Sequence, residues 1–352
     1  MTAAPRHSPR LHRAILALVA GGLCGPLAVP TAPAAPAAAP PKPARKPRLA
    51  RLPKTVPSPG NNPTTAAKVE LGKQLFFDPR LSGNNKTSCA SCHFPTRAFT
   101  DQRARSLGQH GRPLSRNTPT VVNSGFLKHL FWDGRATSLE QQALMPIESP
   151  VEMNQDLDTL ETELDSIPGY ARQFRKVFET GVTRSGIARS LAAFQRTLVS
   201  GPTSLDRFLA GNTSALSEEA QRGLDLFRGS AGCIRCHNGP LLSDGKFYRL
   251  GVSVKDKGRQ SVTGKSRDAF RFRTPSLRNI ARTPPYMHDG SQKTLEDVVT
   301  FYYRGVPATI PGNLPLDVKP LLDNSFSEIS DIVAFLESLS SAPLKITPPQ
   351  LP

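Results

Sequence analysis

The sequence has no long hydrophobic run. Its main apolar stretch, Ala14 to Val29, is too short and too interrupted by Gly and Pro to cross a bilayer, so no transmembrane span is expected. Few segments alternate with period two, which leaves little room for sheet and points to an all-α chain. Acidic residues are scarce, 28 against 45 Lys and Arg, for a formal charge of +17. No aromatic-basic module accompanies that charge, which makes nucleic acid a poor partner. Cysteine, methionine and tryptophan number only five, four and one.

The first 63 residues hold little that could form a core. Arg6, Arg10 and Arg13 precede the apolar run, and small residues follow it (Ala32, Ala34, Ala35, Ala37 to Ala39). Residues 1–39 therefore read as a signal peptide that discards Cys24 and exports the protein to the periplasm. Residues 40–63 read as a disordered Pro/basic leader. Nine basic and no acidic residues fall in positions 1–55, more than half of the net +17. What remains leaves room for a basic face toward an acidic electron donor.

Four of the five cysteines fall in two copies of one pattern, Cys89-Ala90-Ser91-Cys92-His93 and Cys233-Ile234-Arg235-Cys236-His237. Cys-x-x-Cys-His is the attachment signature of c-type haem. Two thiols add across the two vinyl groups of one porphyrin, and the adjacent His is carried under the iron as its ligand. A four-cysteine zinc site needs no His after each second Cys, and a disulfide framework does not account for the two His either. The surroundings repeat as well. A helix opened by Thr64 or Thr65, carrying Gly72, Leu75 and Phe76, precedes the first motif. One opened by Ser217, carrying Gly223, Leu226 and Phe227, precedes the second. This internal repeat predicts two cytochrome c-like domains, residues 64–202 and 203–345. Further helices are expected from a capping box at Thr137–Glu140, over about 159–165 with a break at Pro168, over 186–199, from a cap at Thr294 to Gly305, and over 327–339.

A His-ligated iron leaves its other face to be explained. Met, His or Tyr there makes an electron-transfer site, and an open face allows peroxide or oxygen chemistry. Beyond the signal peptide the chain has only Met145, Met153 and Met287. By spacing alone Met287 is a fair candidate for the second iron, and Tyr302 competes with it.

The stretches Glu70-Leu71-Gly72-Lys73-Gln74-Leu75-Phe76-Phe77-Asp78, Phe131-Trp132-Asp133-Gly134-Arg135-Ala136, Pro150-Val151-Glu152-Met153, Arg273-Thr274-Pro275-Ser276-Leu277-Arg278-Asn279 and Pro285-Tyr286-Met287-His288-Asp289-Gly290, with the two haem motifs, resemble the bacterial di-haem cytochrome c peroxidase family, which includes MauG-type methylamine-utilisation enzymes. The resemblance spans about Thr64 to Leu339. It implies two covalent haem c groups, held by Cys89, Cys92 and His93 and by Cys233, Cys236 and His237. It places Tyr302 where the peroxidase branch has an axial Met, as in the MauG-type branch, with Met287 as the fallback. It sets Trp132 between the haems as an electron relay, and Gln142 and Glu152 at the open face of the first. His110 sits one position from where some peroxidases carry a second ligand for the first iron. A solvated loop His is the competing reading. Asn117, Thr283 and Pro285 match positions that hold calcium, and His288 matches a His near the second haem.

Three functions compete. The first is a peroxidase that reduces hydrogen peroxide with electrons from a small donor, a cytochrome c or cupredoxin. The second is a MauG-like oxidase of a protein substrate, which Tyr302 favours. The third is a non-enzymatic electron carrier, against which stands the lack of Met or a well-placed His near the first haem.

Overall fold

The computed structural model describes residues 47–305, 316–318 and 326–352. The expected signal peptide and the start of the leader lie outside these residues. Among them, no helix is long and apolar enough to cross a membrane.

The fold is mostly helical. Its helices are α1 (Ala66–Phe77), α2 (Leu139–Glu148), α3 (Leu157–Asp165), α4 (Pro168–Phe178), α5 (Arg184–Thr197), α6 (Ser204–Leu209), α7 (Glu218–Arg228), α8 (Gln260–Thr263), α9 (Leu295–Arg304) and α10 (Phe326–Glu337). One two-stranded antiparallel ribbon pairs β1 (Phe247–Tyr248) with β2 (Phe272–Arg273), in register Phe247 with Arg273.

Capping residues set where the helices begin. The hydroxyls of Thr65, Thr183, Ser217 and Thr294 accept from the backbone N–H groups of Lys68, Gly186, Ala220 and Asp297. The expected box at Thr137 shifts by one residue. Ser138 is the cap, because the Glu140 carboxylate turns to Arg196 at 2.6 Å and Asn62 at 2.7 Å. Pro168 ends α3 and also opens α4, a helix not expected from the sequence; its missing N–H costs nothing at a first helical position.

Two helix crossings organise the interior. α1 crosses α5, and α7 crosses α10. Each crossing is made at a glycine: a β-carbon on Gly72 would overlap the Ser190 carbonyl oxygen, and one on Gly223 that of Asp331. One buried cluster gathers Leu71, Phe76, Ile147, Phe174, Leu191 and Phe194. A second gathers Leu205, Leu224, Phe227, Val299, Ile332 and Phe335. The chain end returns to the first cluster through Leu344 and Ile346. Arg278, fully buried, grips Asp206 of α6 with two hydrogen bonds at 2.8 and 2.9 Å and also donates to the Ala50 carbonyl.

Residues 47–63 depart from the expected disordered leader. Gly239 donates to the Arg48 carbonyl at 2.7 Å, Val56 packs on Gly125, and Asn62 is buried. Backbone partners supplied by the body of the protein order a segment whose composition has no apolar period.

Candidate functional site

Both Cys-x-x-Cys-His motifs take the same shape. Cys89–Ser91 and Cys233–Arg235 each form one 3-10 turn. In each, the His N–H donates to the carbonyl of the first Cys at 2.9 Å. His93 Nδ1 lies 3.0 Å from the Phe99 carbonyl oxygen, and His237 Nδ1 lies 3.0 Å from that of Leu242. A carbonyl can only accept, so Nδ1 carries the proton and Nε2 presents its lone pair. Phe99 and Leu242 both stand in the left-handed region, at φ 58° and 52°, a costly conformation for bulky side chains that turns each carbonyl toward its imidazole. Burial lowers both imidazole pKa values and keeps them neutral. Burial also pushes the Cys89 thiol up to about 12 and those of Cys92 and Cys233 to about 11. Burial thus keeps these three thiols protonated and unactivated as nucleophiles.

The second motif opens onto a cavity of about 730 Å³, a volume suited to a large cofactor. Its wall includes Cys233, Cys236 and His237 together with both candidate axial ligands, Tyr302 and Met287. Burial raises the Tyr302 phenol pKa, and the nearby thiols of Cys233 and Cys236 add to the rise. Met287 sits at φ 70°. Two further residues line the wall: His288, which the resemblance places near the second haem, and Arg273, which the sequence did not mark. Arg273 is buried, and among the described residues its guanidinium meets only backbone carbonyls, those of Thr274 at 3.0 Å and Phe131 at 3.4 Å. Burial alone holds its pKa down to about 10. His288 stacks on Phe272 with ring centroids 3.7 Å apart, its buried Nε2 has no hydrogen-bond partner among the described residues, and burial lowers its pKa to about 4. A flat dianionic group with covalent reach to two thiols fits this wall: apolar sides, one imidazole lone pair, and a buried cation with no carboxylate partner among the described residues.

Trp132 lies on the same wall. Its indole N–H donates to the Asn117 carbonyl at 2.9 Å. The neighbouring Asp133 is clamped by Arg116 at 2.6 Å and Arg135 at 3.1 Å. Asn117, Thr283 and Pro285, the calcium candidates, also line the cavity. The Asn117 amide nitrogen donates to the Arg103 carbonyl at 2.8 Å, so its side-chain oxygen is the atom that could take a cation.

At the first motif, Glu152 is close enough for its charge to push up the Cys92 thiol. Burial raises the Glu152 pKa, against the pull of Arg135. Gln142 is half-buried on α2. His110 is exposed at φ 57°, in the turn Gln109–Gly111. The side chain turned inward there is that of Gln109, which the sequence did not mark. Its Nε2 donates to the Met153 carbonyl at 2.6 Å and its backbone N–H to that of Val151 at 3.3 Å, bracketing Glu152.

Comparison with known proteins agrees with this geometry. The family model described as di-haem cytochrome c peroxidase matches residues 66–214. The methylamine utilization protein MauG of Methylorubrum extorquens is 44% identical over 307 residues, covering 86% of each chain. The cytochrome-c peroxidase IdrP1 of Denitromonas iodatirespirans is 43% identical over 333 residues, covering 84% of this chain and 88% of its own. Among solved structures, a MauG-like protein associated with microbial copper homeostasis superposes with a TM-score of 0.76 at 34% identity, over 83% of this chain and 95% of that one. The chain therefore belongs to the di-haem cytochrome c peroxidase family.

Proposed function

We propose that the protein reduces hydrogen peroxide to water at the first haem, with electrons that arrive through the second: H2O2 + 2 e− + 2 H+ → 2 H2O. The observation that carries this is Glu152, a half-buried carboxyl with a raised pKa beside Cys92. When bound, a c-type haem supplies an iron that takes peroxide and accepts its oxidising equivalents. The chain supplies the proton transfer. Glu152 takes a proton from the near peroxide oxygen and returns it to the far one, a role that a carboxyl poised by desolvation performs well. Gln142 shares that face, and Gln109 holds the Glu152 loop in place. His93 and His237, fixed through Nδ1, would hold the irons through Nε2.

In this reading residues 64–202 and 203–345 are two cytochrome c-like domains, which the paired glycine crossings support. Tyr302 would hold the second iron, Trp132 would carry electrons between the sites, and Asn117, Thr283 and Pro285 would hold calcium; all line the same cavity. Export to the periplasm is part of the same reading. The exposed setting of His110 favours a first haem that is open without prior reduction. Electron paramagnetic resonance of the oxidised protein tests the whole: one high-spin haem that accepts cyanide and one low-spin haem are expected, and two low-spin haems in both redox states would leave only an electron carrier.

A second reading, peroxide-dependent oxidation of a protein substrate, is favoured by Tyr302 and by the 44% identity to a MauG. Turnover of peroxide with a reduced cytochrome or cupredoxin distinguishes the two.

A further inference from the structure

We propose that the excursion from Val254 to Asp268 is the docking face for a small, acidic electron-donor protein. This rests on the reading of the second haem as the place where electrons arrive. The excursion exposes Lys255, Lys257, Lys265 and Arg267, with Val262 at its centre, an apolar side chain 40% exposed. Its two carboxylates are turned to internal partners. Asp256 is held by Arg116 at 2.6 and 2.9 Å, and Asp268 accepts from the Thr263 hydroxyl at 2.7 Å. The outward charge of the segment is therefore of one sign around an apolar spot. An apolar centre with a charged rim is the anatomy of a transient protein contact, and complementary charge raises encounter rates.

The face is wired to the second site by position. Val252 and Ser253 before it, and Phe270 and Phe272 after it, line the cavity of His237. It is also rigidly mounted. Phe270 N–H donates to the Lys257 carbonyl at 3.0 Å and Arg259 N–H to that of Arg271 at 2.8 Å. The Arg259 guanidinium donates to the carbonyls of Asp133 and Gly134 at 2.9 and 2.8 Å, immediately after Trp132. A partner seated on Val262 is thus held beside the haem cavity and beside the residue that leads onward.

The test uses the full holoprotein and the variant Lys255→Glu/Lys257→Glu/Lys265→Glu/Arg267→Glu. Reduction of the second haem is followed by stopped-flow absorbance. The probes are a reduced, strongly acidic cupredoxin, a reduced, strongly basic mitochondrial-type cytochrome c, and hydroquinone. With the wild type, the cupredoxin rate should fall steeply with salt. In the variant its low-salt rate should drop by about 10-fold or more, within the ~10–10³-fold range of electrostatic steering, while the basic cytochrome gains. Hydroquinone should reduce both proteins equally. Equal cupredoxin rates and salt slopes in the two proteins overturn the docking face. So does charge-dependent binding to anionic vesicles with unchanged cupredoxin rates, which would assign the patch to a lipid surface. Failure of the wild type to turn over peroxide with hydroquinone overturns the peroxidase reading instead, and leaves the reduction rates to decide the docking face.

Discussion

The backbone N–H of Arg273 donates to the carbonyl oxygen of Trp132 across 2.8 Å. The same arginine lines the His237 cavity, and among the described residues no carboxylate pairs with its guanidinium. One residue thus anchors the single tryptophan and charges the second haem site. A cation beside a haem favours the reduced state, so Arg273→Gln should lower the midpoint potential of the low-spin haem. At an effective dielectric constant of about 20, removing one charge beside the site shifts a one-electron potential by an amount on the order of tens of millivolts. Spectroelectrochemistry reads the shift, and Arg273→Lys should restore part of it.

Glu152→Gln removes the proton carrier and leaves the haem environments in place. The bimolecular rate with peroxide should fall by about 10²–10⁴-fold with little change in the resting spectrum.

The pH profile carries a separate expectation. Glu152 must be ionised to take the first proton, so the rate declines as pH falls through its raised pKa. Arg135 pulls that pKa down against burial. Replacing Arg135 with Leu should therefore move the acid limb of the profile to higher pH, measured with stopped-flow peroxide mixing.

Tyr302→Met exchanges a phenol oxygen for a thioether. Phenolate favours ferric iron and thioether raises the potential. The low-spin haem should gain a higher midpoint potential and an altered near-infrared charge-transfer band. An unchanged spectrum would remove Tyr302 as ligand and leave Met287, which lines the same cavity.

Gly72→Ala and Gly223→Ala each force a methyl group onto the backbone of the crossing helix. Overpacking of this kind costs about 1–3 kcal/mol, or more where backbone must shift. Each variant should lose thermal stability measurably in calorimetry, with haem content unchanged.

The two motifs announced two haems because the spacing Cys-x-x-Cys-His is itself chemistry: two thiols and one imidazole must meet one porphyrin within five residues. Helix starts were legible for the same local reason. A hydroxyl three residues ahead of an N–H is visible in one dimension, as at Thr65, Ser217 and Thr294. The resemblance carried Tyr302, Trp132 and Glu152, which residue type and spacing alone leave as ordinary core or surface.

Tertiary structure decided what depends on distant partners. The capping box at Thr137 moved because Glu140 found Arg196, 56 positions away. The leader from Pro47 onward became ordered because Gly239 and Arg278 bond to it. Arg273 is one arginine among many until its burial against backbone carbonyls is seen, and Gln109 is a loop glutamine until it reaches Met153. Covalent chemistry is written in short spacings along the chain, whereas charge compensation and proton poise depend on which remote groups burial brings together.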